Sequence, residues 1–377
     1  MATVPINNDV LTWARKRSKL SLEELALSLD IPITRLKAFE DGTEKPPLTL
    51  LERIAYSKLK VPLAVFFFPE PPVLPDPVSK LRRLPDSEQQ RLSPNTLAAI
   101  RLAQSYQDSL EVLIGASPKD IADLQINKMG VEAAANHVRS VLEFSIEQQR
   151  RFRSPEKAFK ALRHILEQWG IFTFKDSLED KFISGFCLIS EDFPVIFVNN
   201  SNSFSRQLFT LAHELAHILF GVNGITDINE SYIGDMSDYD RKIEIKCNQF
   251  ASYFLIPNSE SENIIKAYKQ LGIDGIGEIA NIYSVSREFI LRRLLDLGQV
   301  KDAVYTAKAK EWNADYLRSS GNKPGGDYYR THLAYLGETY TAAAFIKYKA
   351  GRISQAELAS HLNVKPINVF KLEGYLR

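Results

Sequence analysis

The segment Thr210–Phe220 constrains the fold of this 377-residue chain most strongly, because it places two histidines in an apolar run. His213 and His217 are four positions apart, and residues 211–212, 215–216 and 218–220 are all Leu, Ala, Ile or Phe. Residues four apart share one face of an α-helix, with Cβ atoms about 5–6 Å apart. A helix this apolar must be buried, and burying polar groups is costly unless they are bonded. The segment therefore predicts a buried helix that carries a polar site.

His213, Glu214 and His217 form the pattern H-E-x-x-H. Two imidazoles spaced in this way can reach one Zn²⁺ at about 2.0–2.1 Å. Glu214 lies one position round the helix, which suits a general base rather than a ligand. The pattern thus indicates a zinc hydrolase. The alternative is a pair of core histidines that are held only by hydrogen bonds.

A catalytic zinc site needs a third protein ligand. The extended pattern with a third histidine fails here, because Asn223 occupies that position. An acidic residue from a second helix is the other solution, and the candidates are Glu230, Asp235, Asp238, Asp240 and Glu244. Only Glu244 begins a strongly helical run, with an apolar stripe that ends at Phe254. The alternative for Glu244 is a solvated glutamate in a first helical turn.

The stretch from Pro194 to Pro257 resembles the ImmA/IrrE family of metallopeptidases. That family follows its H-E-x-x-H helix with an E-x-x-A-N-x-F-A helix, matched here by residues 244–251 with Cys247 in the alanine position. The resemblance implies that Glu244 is the third zinc ligand and that 166–257 form a gluzincin-like core. It also implies peptide hydrolysis with narrow specificity, because family members cleave XRE-type transcriptional repressors.

Residues 21–40 have the pattern of a helix-turn-helix, beginning with a capping box from Ser21 to Glu24. Residues 8–68 resemble an XRE-type DNA-binding domain. Its second helix, over 32–40, would expose three residues that we predict as DNA contacts: Thr34, Arg35 and Lys37. That helix is poor in Asn, Gln and Arg, so the alternative is a protein-docking module.

The predicted fold class is mainly α with a small β-sheet. We expect a helix-turn-helix bundle over 1–68, a Pro-rich linker over 69–93, a metallopeptidase domain over 94–300 and a C-terminal helical region over 301–377. Short strands are predicted at 171–174, 183–189 and 195–198. The strand at 194–199 precedes the histidine helix and is a candidate for binding an extended substrate by strand addition.

The sequence contains an internal similarity between residues 21–40 and 354–373. Residues 278–294 show it more loosely. The similarity suggests that the C-terminal region is helix-turn-helix-like. The alternative is that any tight pair of helices produces this pattern.

The bulk composition points to no particular partner. The net charge is +1, so any DNA contact must come from a local patch. Cys187 and Cys247 are too far apart for a metal-type pair and fit a reducing compartment. The start of the chain lacks the features of a signal peptide, and no apolar run has membrane-spanning length. These features predict a cytoplasmic protein.

Two functions remain in competition. The first is a zinc endopeptidase whose substrate is an XRE-type repressor, with operator DNA and a toxin encoded nearby as further partners. The second is a transcriptional regulator or antitoxin in which the zinc fold is a sensor or scaffold. Glu214 favours the enzyme, because a scaffold has no need of a base. Candidates for stabilising the oxyanion are Tyr232, Tyr239 and Arg206.

Overall fold

The computed structural model describes most of the chain, with gaps. The described residues are 3–73, 92–116, 119, 121–124, 126, 128–178, 180, 183–222, 224–227, 238–319 and 326–376. Residues 74–91 of the predicted linker lie outside them, as do Tyr232, Glu230 and Asp235. The chain forms two compact units, residues 1–104 with 178–181 and residues 105–177 with 182–377.

The first unit begins with a small helical bundle. Its elements are α1 (Asn8–Arg17), α2 (Leu22–Leu29), α3 (Ile33–Glu40), α4 (Leu48–Glu52), a π-helical segment (Arg53–Leu59) and a 3₁₀ turn (Leu63–Phe67). Ser21 caps α2 in the predicted capping box with Glu24. Asp30 then takes a left-handed conformation, with φ of 56°, which turns the chain into α3. The apolar positions of these helices form one core.

The second unit contains most of the remaining helices. After α5 (Pro94–Leu113), which crosses from the first unit, these are α6 (Val131–Val141), α7 (Ile146–Phe152), α8 (Pro155–Gln168), α9 (Phe204–Leu219), α10 (Asp238–Leu255), α11 (Ser261–Leu271), α12 (Ile276–Tyr283), α13 (Arg287–Asp296), α14 (Asp302–Ser319), α15 (Tyr328–Leu336), α16 (Glu338–Lys349), α17 (Gln355–His361) and α18 (Val369–Glu373). A four-stranded sheet lies among them, so the fold class of mainly α with a small sheet is confirmed.

The sheet has the strand order β1-β3-β2-β4. Its strands are β1 (Phe172–Asp176), β2 (Ile183–Leu188), β3 (Val195–Asn199) and β4 (Gly224–Asp227). β1 runs parallel to β3, and β2 is antiparallel to both β3 and β4. Because β3 is paired on both sides, its backbone has no edge left for an added strand. The prediction that the strand at 194–199 binds substrate by strand addition is therefore wrong.

Helix α9 packs closely on this sheet. A side chain added at Gly185 of β2 would come within 2.6 Å of both the Phe197 carbonyl oxygen and the Thr210 Cγ2. Only glycine permits this approach. The other side of α9 packs against α10, and α10 packs against α6. Their buried side chains belong to one core.

The last helices of the second unit attach to its sheet. α15 packs against β1, and the Tyr335 hydroxyl accepts a hydrogen bond of 3.1 Å from the Asn200 amide. Phe174 of β1 makes an edge-to-face contact with Tyr340 at 5.0 Å between ring centroids. Residues 326–376 are thus built onto the part of the unit that carries α9. Among the described residues, no helix has both the length and the apolar character that crossing a bilayer requires.

Candidate metal centre

Helix α9 places His213, Glu214 and His217 in the interior. Ser203 caps its start by accepting a hydrogen bond from the backbone amide of Arg206. The apolar residues on both sides of the motif are buried, as the sequence predicts for such a helix. All three polar side chains are fully buried as well, at 0% exposure. Their burial needs compensation from neighbouring groups or from a ligand.

Helix α10 brings Glu244 to the two histidines. One carboxylate oxygen lies 3.3 Å from His213 Nε2, and the other lies 3.2 Å from His217 Nε2. The two Nε2 atoms are themselves 3.0 Å apart. Glu244 is only 1% exposed, so it is not a solvated first-turn residue. The three side chains each direct one ligand atom to a common point, and these atoms lie within 4.8 Å of one another.

Asn248 holds His213 in place. Its Oδ1 lies 2.9 Å from His213 Nδ1, on the ring nitrogen that faces away from Glu244. An amide oxygen can only accept, so Nδ1 carries the hydrogen and Nε2 is left with its lone pair. This orientation is the one that metal-binding histidines have. The site prediction did not assign this role to Asn248, although its position four residues after Glu244 places both on one face of α10.

The charge of Glu244 fits the same arrangement. Burial alone raises the pKa of this carboxyl, but its close contacts with the rings of His213 and His217 outweigh burial and hold the pKa well below its usual range. A buried carboxylate oxygen and two imidazole nitrogens that converge on one point form a set of metal ligands. Two imidazole nitrogens and one carboxylate oxygen are a ligand set that catalytic zinc sites use, in which water or substrate takes the fourth position. The residues therefore fit a divalent metal ion.

Glu214 is on the same helix but is not one of the three convergent ligands. Its side chain is fully buried and sits one position after His213. Its position beside His213, outside the set of three ligands, fits a role other than metal binding. Among the acidic alternatives, Asp238 is exposed and pairs with Arg241 at 3.8 Å.

The candidates for oxyanion stabilisation are placed differently. The Arg206 Nε donates to the Ser184 hydroxyl at 3.1 Å, and its guanidinium lies over the Phe209 ring. Tyr239, near the start of α10, is 66% exposed.

The predicted DNA contacts lie on α3 in the first unit. Thr34, Arg35 and Lys37 are all exposed. Arg35 lies over the Phe39 ring and forms an ion pair of 3.0 Å with Glu44. Both members of that pair are well exposed, so the pair is weak and Arg35 can exchange partners.

Comparison with known proteins gives the same picture as the geometry. Residues 166–295 match the IrrE N-terminal-like domain. The chain is also 24% identical, over 197 residues, to the radiation response metalloprotease IrrE of Deinococcus radiodurans. That match covers 44% of this chain and 59% of the relative, which is less than two thirds of its length. Together with the His-His-Glu cluster, these matches support a metallopeptidase of the ImmA/IrrE type.

Proposed function

We propose that this protein is a zinc-dependent endopeptidase of narrow specificity. The observation that carries the proposal is the buried convergence of His213, His217 and Glu244, with Glu214 beside it on the same helix. In this proposal the first three residues hold Zn²⁺. When bound, the metal polarises the scissile carbonyl and lowers the pKa of a water molecule.

The protein's own residues supply the remaining chemistry. The Glu214 carboxylate accepts a proton from the attacking water and returns it to the leaving amine. Asn248 keeps the His213 Nε2 lone pair directed at the metal. The apolar residues of α9 and α10 exclude bulk water, which strengthens each of these electrostatic interactions.

Strand β4 is the place for an extended substrate. It pairs with β2 on one side and has no strand on its other side among the described residues. Helix α9 packs against β4, so an added strand would lie on the sheet that supports the metal-binding helix. Peptide addition to this edge replaces the earlier prediction for β3.

The substrate that we propose is an XRE-type transcriptional repressor. Support comes from the resemblance to ImmA/IrrE peptidases and from the XRE-like bundle at residues 8–68, which suits recruitment of a related repressor or of operator DNA. A toxin encoded beside the gene is a further candidate partner. The cytoplasm, where such partners reside, is the proposed location.

The test is co-expression with a repressor encoded beside this gene, followed by intact-mass analysis. The parent should make a single cut, whereas Glu214→Gln should cut about 10²–10⁴-fold more slowly because it lacks the base. Zinc content and thermal stability of the variant should match the parent, since the ligands are unchanged. If Glu214→Gln cuts as fast as the parent, the assignment of the base is wrong.

The rival function, a DNA-binding regulator with a zinc scaffold, is favoured by one observation, the exposed cations of α3. Arg35→Ala should then weaken binding to the protein's own promoter, and the affinity should fall steeply with salt. Lys58→Ala, which changes a cation outside α3, serves as the control. Absence of promoter binding at low salt would leave α3 as part of a protein-docking module.

A further inference from the structure

The C-terminal helices repeat the backbone of the N-terminal bundle. Ser354 caps α17 in a capping box with Glu357, as Ser21 caps α2 with Glu24. Nine residues after each serine, the chain takes a left-handed conformation, at Asp30 (φ 56°) and at Asn363 (φ 49°). A second helical segment follows each turn. The similarity in sequence is therefore a similarity in structure.

The buried positions of the two regions also correspond. With an offset of 333 residues, each core position of α2 and α3 has a buried counterpart in the last helices. The pairs are Leu25 and Leu358, Ala26 and Ala359, Leu29 and Leu362, Leu36 and Val369, and Phe39 and Leu372. A tight pair of helices need not share all of these positions, so residues 338–376 form a second helix-turn-helix.

An ion pair recurs as well. In the N-terminal bundle Arg15 of α1 pairs with Glu40 at the end of α3, at 2.7 Å. In the C-terminal repeat Lys349 of α16 pairs with Glu373 at the end of α18, at 2.5 Å. In each module, the helix that comes before the helix-turn-helix pair is thus tied to the second helix of that pair. The two modules share a framework, and their surfaces can be compared position by position.

The exposed positions of the second helix differ between the two modules. Thr34 and Lys37 of the first correspond to Ile367 and Phe370 of the second. Ile367 is 81% exposed and Phe370 is 49% exposed, and the Phe370 ring lies 5.9 Å from that of Tyr348. Where the N-terminal module shows polar and cationic groups, the C-terminal repeat shows apolar side chains to solvent.

The charged residues of the segment that carries this apolar surface are of one sign. The segment from Asn363 to Lys371 contains Lys365 and Lys371, both exposed, and no acidic residue. Glu373, two positions later, is paired with Lys349. An apolar centre with a basic rim complements a surface that has apolar anchors and an acidic rim. We define Lys365, Ile367, Phe370 and Lys371 as the C-terminal surface.

We propose that the C-terminal surface is a docking site for an acidic amphipathic helix of a partner protein. Ile367 and Phe370 enter the apolar face of the helix, and the two lysines pair with its carboxylates. Such a helix presents its anchors at i, i+4 and i+7. Ile367 in the 3₁₀ turn Pro366–Asn368 and Phe370 in α18 are three residues apart, so both can contact that apolar face.

DNA is a poorer fit to the same surface. Reading of base edges relies on Arg, Lys, Asn or Gln at the positions that face the groove. Here those positions hold Ile367 and Phe370. Asn368, which corresponds to Arg35, accepts a hydrogen bond of 3.1 Å from the Tyr329 hydroxyl and is held toward the protein. At the two positions that correspond to Thr34 and Lys37, the exposed side chains are therefore apolar.

The test measures binding of two synthetic peptides to the full chain by fluorescence anisotropy. Each peptide is about 16 residues long, has leucine at i, i+4 and i+7, and is helical, one with glutamate and the other with lysine on its flanks. The glutamate peptide should bind at least about tenfold more tightly, and added salt should weaken its binding. Ile367→Glu should reduce its affinity by at least about tenfold.

Leu27→Glu is the matched control, because Leu27 is also apolar and 83% exposed but lies in the N-terminal module. It should leave the affinity for the peptide unchanged, and both variants should keep the melting temperature of the parent.

Failure of the glutamate peptide to bind, or equal binding of the two peptides, would overturn the proposal. Binding of a DNA duplex that Ile367→Glu abolishes would overturn it in favour of DNA. Light scattering could also show that the protein self-associates and that Ile367→Glu abolishes the self-association. That result would overturn the proposal, because the surface would then bind a second copy of this chain.

Discussion

Two polar clusters are buried in the second unit, and the burial of their polar groups is compensated in different ways. On α8, Arg163 pairs with Glu167 at 3.0 Å and donates to the carbonyl oxygens of Ala334 and Tyr335 at 2.7 and 3.3 Å. Thr339 donates to the other Glu167 oxygen at 2.5 Å. Every charge in this cluster faces an opposite charge or a dipole.

The cluster on α9 and α10 is different. Glu244 and the two histidines direct their ligand atoms at the same place, within 4.8 Å of one another, which is an arrangement that a bound cation would complete. The comparison shows that burial of polar groups alone does not mark a functional site. What marks it is a set of buried groups that a ligand would complete.

The strongest test of this difference is removal of one metal ligand. His217→Ala leaves only two ligands, so its zinc affinity should fall by more than about 100-fold, beyond what a change outside the ligand set causes. Elemental analysis of the parent should find about one zinc per chain, and the variant should hold almost none. Retention of full metal by the variant would remove the distinction between the two clusters.

Breaking the other cluster should affect stability and leave the metal in place. Arg163→Met leaves the buried Glu167 carboxylate without its ion-pair partner. The loss of one partner in a buried pair lowers the free energy of unfolding by about 3–5 kcal/mol. Urea unfolding should show this decrease in the free energy of unfolding. Replacing Glu167 by leucine in the same chain should restore much of it, because no lone charge then remains.

A smaller effect is expected at Asn248, which orients a ligand without binding the metal. Asn248→Ala should weaken zinc binding by about 10–100-fold, as loss of a partner behind a metal ligand typically does. A competition assay with a chelator measures this directly. An affinity equal to that of the parent would mean that helix packing alone orients His213.

Lys175 is a third buried polar group, and its titration makes the free energy of unfolding depend on pH. Burial, with smaller contributions from nearby cations, lowers the pKa of Lys175 to about 7. The side chain lies between the Phe159 and Phe204 rings and donates to Gln207 at 3.2 Å. Between its folded pKa and its unfolded pKa of about 10.4 the unfolded chain binds more protons, so stability rises with pH.

From pH 7 to pH 9 this lysine should add about 2 kcal/mol to the free energy of unfolding, on the basis of about 1.36 kcal/mol for each pKa unit. Lys175→Met lacks the titrating group, so its unfolding free energy should rise less than that of the parent by about this amount. Parallel curves for the two proteins would show that Lys175 is charged in the folded state.

The sequence predicted the local parts of this structure well. Helix α9 covers the predicted helical segment Thr210–Phe220 except its last residue, and α10 covers the predicted run from Glu244 to Phe254, because apolar residues recur along each at helical spacing. The same helical spacing made Glu244 a candidate for the third metal ligand. Only the resemblance to the ImmA/IrrE family assigned that role to it. In the N-terminal bundle, the capping box at Ser21 marked the start of α2.

What the sequence did not predict depends on pairing over long distances. The central position of β3 follows from its partners β1 and β2, which the local pattern does not specify. Strand β4, over Gly224–Asp227, is too short to show an alternating pattern. The contacts of Arg163 with Ala334 and Tyr335 span 171 and 172 residues of the sequence, and no sequence motif indicates them.

Those contacts of Arg163 have a consequence for synthesis of the protein on the ribosome. Strand β1 and helix α8 leave the ribosome more than 130 residues before α15, which covers β1 and fills the hydrogen bonds of Arg163. At translation rates of about 5–20 residues per second, this interval is on the order of ten seconds. During that time the Arg163 guanidinium lacks the carbonyl oxygens of Ala334 and Tyr335, and the apolar strand β1 lacks the helix α15 that packs against it. The growing chain is therefore a candidate client for chaperones during this interval.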